Sequence, residues 1–127
     1  MNVNEYSPLS LAYLGDAYYE LLVRAHLLEL GNMPTSELNK RAKEYVTAVK
    51  QSGMVDMLLP NLNETELAAY KRGRNAHSAH TPKSAAAVQY RRATGLESLF
   101  GYLYVKGETE RATELFNLLV LGGNGNV

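Results

Sequence analysis

The chain reads as an all-α protein, on three observations. Apolar residues recur at helical spacing along most of its 127 residues, and no useful length of it alternates apolar and polar side chains. Helix punctuation, an N-capping residue before a run and glycine or proline after it, separates the apolar stretches. A chain of this length, 1–127, is expected to form one domain with a real core. Ser7 is a good N-cap and Pro8 suits a first helical turn. Leu14, Tyr18, Leu21, Leu22, Ala25 and Leu28 then form an apolar stripe that ends at Gly31. Thr35 or Ser36 opens a second helix, with Leu38, Ala42, Tyr45, Val46 and Val49 inward and Gly53 as its stop. Residues 55–59 read as a short helix halted by Pro60, and Asn63 with Glu66 makes a capping box for a helix to about Lys71. The segment RGRNAHSAHTPKS is the best loop candidate. Thr81 and Pro82 restart a helix through AAAVQYRR, Gly95 marks a break or kink before 96–106, and a last helix covers roughly 108–121. The tail, 122–127, is expected to fray.

Composition removes several classes of function. No apolar run reaches the roughly 20 residues that span a bilayer, and no basic region followed by an apolar stretch opens the chain, so no membrane role is expected and the cytoplasm is the default compartment. The absence of cysteine excludes disulfides, zinc–thiolate sites and thiol nucleophiles. There is no P-loop or dinucleotide fingerprint, hence no nucleotide cofactor, and no recognisable Ser–His–Asp arrangement. The formal net charge is zero, yet the charges are segregated. Residues 71–92 hold six basic residues, Lys71, Arg72, Arg74, Lys83, Arg91 and Arg92, with His77 and His80 and no acid. A basic face on a neutral protein is what a polyanion responds to. Asn75 and the two histidines add hydrogen-bonding groups to it, whereas Lys106 and Arg111 read as ordinary surface charges.

The sharpest motif is LAYLGDAYYE, which sets Asp16 directly after a glycine inside an apolar helical segment. A charge on a mostly buried surface is expensive unless it is paired or binds a cation. Glu20 lies four residues on and shares the helical face; the bland alternative is a solvated edge on which Glu20 pairs with Arg24. A later segment of similar construction, GLESLFGYLY, carries Glu97 with Gly101 one turn beyond, and there Leu96, Leu99, Phe100 and Leu103 can form the core. Small residues let two helices approach closely, so two carboxylates could share one cation at their meeting point.

These residues resemble a known family. LAYLGDAYYELLV is similar to the signature helix of ribonuclease III, of the form LEFLGDAVLEL, and ATGLESLFGYLY to its second acidic motif, ADxFEALxGAxY. ELNKRAKEYVTAV is weakly similar to the intervening helix. The short chain, without an appended double-stranded-RNA-binding domain, looks most like the compact Mini-ribonuclease III branch. The resemblance implies a ribonuclease III-like helical endonuclease domain with Asp16 and Glu97 as catalytic, metal-holding carboxylates and Glu20 in support. It also implies a homodimer, with Leu11, Leu14 and Tyr18 packing across a two-fold axis. The implied activity is Mg²⁺-dependent cleavage of double-stranded RNA to 5′-phosphate and 3′-hydroxyl ends, in maturation of the 23S ribosomal RNA precursor. Two departures stand out: Ala12 and Thr94 occupy positions where classical members carry a glutamate and an aspartate. Mg²⁺ tolerates one or two carboxylates because it commonly keeps several waters, and Thr94 could orient such a water. The expected RNA footprint is Lys71, Arg72, Arg74, Asn75, His77, His80, Lys83, Arg91 and Arg92. Two other readings remain open at this point, a non-catalytic RNA-binding or ribosome-associated helical dimer and a phosphohydrolase of small nucleotides.

Overall fold

A computed structural model describes residues 2–50, 53–76 and 85–123. Among these the chain forms six α-helices: α1 (Pro8–Leu30), α2 (Thr35–Lys50), α3 (Gly53–Leu58), α4 (Glu64–Arg74), α5 (Ala85–Val105) and α6 (Thr109–Gly123), with single 3₁₀ turns at Val3–Glu5 and Leu59–Asn61. No strand occurs among the described residues. The all-α expectation holds. The Ser7 hydroxyl accepts the Ser10 N–H and Pro8 fills the first turn of α1. The capping box is also present, with the Asn63 side chain accepting the Glu66 N–H and the Glu66 carboxylate accepting the Asn63 N–H.

The helices are organised around α5, whose largest packing surface faces α1 and whose second faces α4. At the first crossing there is no room for a side chain. A Cβ on Gly15 would collide with the carbonyl oxygen of Glu97, and one on Gly101 with the carbonyl oxygen of Leu11. The second crossing is nearly as close. A Cβ on Gly95 would lie 2.8 Å from the Tyr70 carbonyl oxygen, and one on Gly73 would strike Ser98. Leu96, Leu99, Phe100 and Leu103 of α5 are buried in the core, as the sequence suggests, with Tyr19, Val23 and Leu27 of α1 and Leu115, Phe116 and Leu119 of α6. Tyr19 packs edge-on between Phe100 (5.4 Å between ring centres) and Phe116 (5.7 Å).

Several expectations are corrected. The inward face of α1 carries Leu11, Ala12, Gly15, Tyr18, Tyr19, Val23 and Leu27; Leu21 and Leu28 are each 60% exposed, Ala25 is exposed, and Leu14 and Leu22 are half-buried. The helix is apolar on nearly every side, so periodicity alone could not choose the face, and the glycine contact did. Gly95 does not break a helix. It lies inside the continuous α5, where lack of a side chain admits Tyr70. Gly53 starts α3 and does not end α2, and Pro60 lies in the 3₁₀ turn after α3. Helix α4 continues to Arg74, so Arg72 and Arg74 are helical and not loop residues. The last helix includes Gly122 and Gly123 of the expected tail. The restart at Thr81–Pro82, Val49's side chain and residues 124–127 lie outside the described residues.

Arg111 is also no ordinary surface charge. Its Nε and Nη2 donate to the Glu66 carboxylate at 2.8 and 2.9 Å, Nη2 also donates to the Asn61 carbonyl, and Nη1 reaches Glu114. Glu66 is 1% exposed. The pair therefore fastens α6 to the start of α4 and the turn before it. Hydrogen bonds from Arg111 hold the Glu66 carboxyl below its ordinary value, outweighing the opposing effect of burial.

Two stability predictions follow from these contacts. Gly15→Ala and Gly101→Ala should each cost about 3 kcal/mol, since backbone on both sides blocks relaxation; urea unfolding that shows less than about 0.5 kcal/mol for both would contradict the crossing. Glu66→Gln should cost about 2 kcal/mol at pH 7 because it strips a half-buried arginine of its anion. A depressed folded-state pKa means that this contribution is complete above the ordinary glutamate value of 4.5 and is lost as pH falls through the folded value. The stability gap between parent and variant should accordingly narrow below pH 4.5, and a gap constant from pH 7 to pH 3 would refute the assignment.

Candidate active site

The two predicted acidic residues, Asp16 and Glu97, both lie at the α1–α5 crossing. Asp16 directly follows the glycine that rests on the backbone of Glu97, so the two acids, 81 positions apart in sequence, arise from main chains in contact. Asp16 is exposed, and among the described residues it has neither an ion pair nor a hydrogen bond. Glu97 is half-buried. A rigid crossing that presents an uncompensated exposed carboxylate beside a second acid is suited to a cation. No group of three or more His, Asp or Glu residues that could hold a metal occurs among the described residues, so the protein would supply two ligands and water the rest.

The neighbouring positions show why the site stops at two acids. Ala12 of α1 and Thr94 of α5 are both buried. Thr94 donates its hydroxyl proton to the Tyr90 carbonyl at 3.0 Å, one turn back along α5. Its remaining role toward a water can therefore only be that of acceptor. Glu20 takes the bland arrangement: its carboxylate accepts from Arg24 Nη2 at 2.9 Å, and both side chains are largely solvated. The pair sits at the edge of a groove between α1 and α2 that also contains Asn39 and Lys43.

The basic residues divide into three groups. Lys71, Arg72 and Asn75 are exposed at the end of α4. Arg74 is partly tied down, with Nε donating to Asn75 Oδ1 at 3.1 Å and its guanidinium 5.8 Å from the centre of the Tyr70 ring. Arg92 pairs with Asp56 at 3.0 Å, joining α5 to α3, and Arg91 is half-buried. His77, His80 and Lys83 lie outside the described residues. Tyr18 and Leu11, expected at a two-fold axis, belong to the core of this chain, where Tyr18 packs 5.1 Å from Tyr104.

Sequence reasoning missed one grouping next to the acids. Arg72 shares a cavity with Ser98, the residue after Glu97, and with the N-terminal turn, which had been left without a role. The available signal was the serine itself, a small polar residue among Leu96, Leu99 and Phe100, on the side of α5 that meets Gly73.

The chain is similar to several known proteins. Residues 9–108 match the ribonuclease III domain family. A Mini-ribonuclease 3 of Desulfitobacterium hafniense is 50% identical over 107 residues, covering 84% of this chain and 68% of that protein. One of Symbiobacterium thermophilum is 46% identical over 108 residues, covering 85% and 83%. The crystal structure of a Fusobacterium nucleatum protein superposes with a TM-score of 0.76 at 33% identity, over 92% of this chain and 93% of that one.

Proposed function

This chain belongs to the ribonuclease III family and is an endoribonuclease, and we propose that it cuts double-stranded RNA with Mg²⁺ as its divalent metal. The observation that carries the reading is the backbone contact of Gly15 with Glu97, which holds Asp16 and Glu97 at one crossing, with no ion pair to Asp16 among the described residues. The family relation implies a divalent metal requirement, and the residue chemistry fits it: Asp16 and Glu97 would offer hard oxygen ligands from two closely packed helices, with water completing the shell. When bound, Mg²⁺ supplies a water of lowered pKa and neutralises charge on the phosphoryl and leaving oxygens.

The chain's own residues do the rest. Asp16 and Glu97 hold the cation, and their helices cannot slide without a backbone clash, so the ligands are preorganised. Water attacks phosphorus, the bond to the 3′-oxygen breaks, and that oxygen takes up a proton, leaving a 5′-phosphate and a 3′-hydroxyl. Lys71, Arg72, Arg74 and Asn75 are placed at the end of α4, which α5 holds beside the acids, and would contact flanking phosphates across the wide minor groove of an RNA duplex. Arg91, His77, His80 and Lys83 are proposed to extend this footprint. Thr94 and Glu20 are proposed as supporting residues, Thr94 as acceptor for a water and Glu20 through its pairing with Arg24.

A homodimer is part of the proposal. Tyr13 is 86% exposed, and with Ala17, Leu21 and Leu28 it continues an apolar outer face of α1 at helical spacing. A second copy related by a two-fold axis would cover this face and give one site for each strand of an antiparallel duplex. No described helix is long and apolar enough to cross a membrane, and the proposed place of action is the cytoplasm, on the 23S ribosomal RNA precursor. Residues 1–127 are proposed to act as one catalytic domain.

Incubation with long duplex RNA and Mg²⁺ tests the activity. Asp16→Asn should retain its thermal midpoint and lose roughly a hundredfold or more in cleavage rate, corresponding to several kcal/mol of transition-state stabilisation. Binding of duplex without cutting by the parent protein, or full activity of the variant, would refute the assignment. The footprint is tested separately by salt dependence. Removing Arg72 and Arg74 together should reduce the slope of log affinity against log salt by about one to two units; an unchanged slope would exclude direct phosphate contact by both.

A further inference from the structure

A cavity of about 240 Å³ lies where the N-terminal 3₁₀ turn, the start of α1, the end of α4 and the middle of α5 meet. Asn4, Tyr6, Leu11, Arg72 and Ser98 line it, and no acid does. Ser98 is 1% exposed, and its hydroxyl has no hydrogen bond among the described residues. A buried hydroxyl without a partner costs free energy that an incoming acceptor would recover. The Asn4 amide and the Tyr6 hydroxyl are likewise uncommitted among the described residues and exposed at the mouth. Every polar lining side chain can therefore donate, and one carries a fixed positive charge. That combination selects an anion with several acceptor oxygens. The cavity shares both of its long helices with the acid pair: Ser98 follows Glu97, and Leu11 lies one turn before Gly15.

We propose that this cavity seats a backbone phosphate of the RNA, on the strand being cut and flanking the phosphate that reacts. Arg72 provides the ion pair, Ser98 the buried hydrogen bond, and Asn4 closes the mouth from the N-terminal turn. The site fixes the register of the strand against Asp16 and Glu97, so its residues position the substrate and take no part in the bond cleavage itself. The proposal rests on the duplex-RNA reading above and adds to it a single, discrete phosphate position and a role for the N-terminal turn.

The test uses duplex RNAs in which one phosphate at a time, on either side of the mapped cut, is replaced by an uncharged methylphosphonate. Affinity and single-turnover cleavage are measured for the parent protein, Arg72→Gln, Ser98→Ala and Asn4→Ala. Ser98→Ala removes only an oxygen, keeping the Cβ that packs on Gly73, and Asn4 is exposed, so folding should be unaffected. The parent should lose about tenfold in affinity at one methylphosphonate position, the worth of one charge-assisted contact. Arg72→Gln should abolish that positional penalty, and Ser98→Ala and Asn4→Ala should each shrink it about threefold, as for the loss of one of several donors to the same anion. An undiminished penalty in all three variants, or a parent that cuts well with no sensitive position, overturns the phosphate seat and leaves the nuclease assignment standing. A parent that neither binds nor cuts any unmodified duplex overturns both.

Discussion

The approach of α1 to α5 through Gly15 and Gly101 is the constraint on which the rest of the molecule depends. Each glycine rests on the other helix's main chain, at Glu97 and at Leu11, so the crossing is specified twice, one turn apart. Two such contacts fix translation and rotation together, which a single close approach would not do. The consequence for chemistry is direct. Asp16 is displaced from Gly15 by one residue, and Glu97 is the residue that Gly15 touches, so the acid pair is a by-product of the packing solution. No flexible loop intervenes between core and carboxylate. Positions 12 and 94 are buried, and an alanine and a threonine whose hydroxyl bonds its own helix avoid placing uncompensated charge there.

Helix α5 also serves as the ruler between acid and base. One of its faces carries Glu97 and Gly101 toward α1, and another carries Gly95 and Ser98 toward α4. Arg72 and Arg74 lie in the last turn of α4, on either side of the Gly73 that meets Ser98. Their separation from the acid pair is therefore set by two close helix contacts on one rod. The N-terminal end of α4 is fixed independently, by the Glu66–Arg111 pair and the capping box. An arginine that sequence alone assigned to solvent is thus spent on architecture, and Arg92 on a bond to Asp56. Lys71 and Arg72 are exposed at the end of α4.

Much of this was legible in the residues, and the misses have a common cause. Capping chemistry is local, so Ser7–Pro8 and the Asn63–Glu66 box were read correctly. The close helix crossing was legible in its glycines, Gly15 directly before Asp16 and Gly101 one turn beyond Glu97, and both lie in the α1–α5 contact. The face of α1 was misjudged because its surface is apolar nearly all round, and only the partner helix chooses among faces. Gly95 was taken for a break because glycine lowers helix propensity, whereas here its missing side chain admits Tyr70. Arg111 was misjudged because its partner lies 45 positions away and nothing local marks it. Long-range contacts decided each of these outcomes.

A site with two carboxylates places more of the work on positioning. With few protein ligands a bound metal would keep more of its waters, and its location relative to the scissile phosphate would be held by fewer bonds. Orientation can then be recovered only through the substrate, by fixing the strand on both sides of the reacting phosphorus. Helical placement of Arg72 matters for that reason. A guanidinium on a packed helix loses less freedom on contact than one on a long loop, so more of its attraction survives as register. Fixed cations close to the acids would serve that end, and α5 packs against both the helix that carries Asp16 and the helix that carries Arg72.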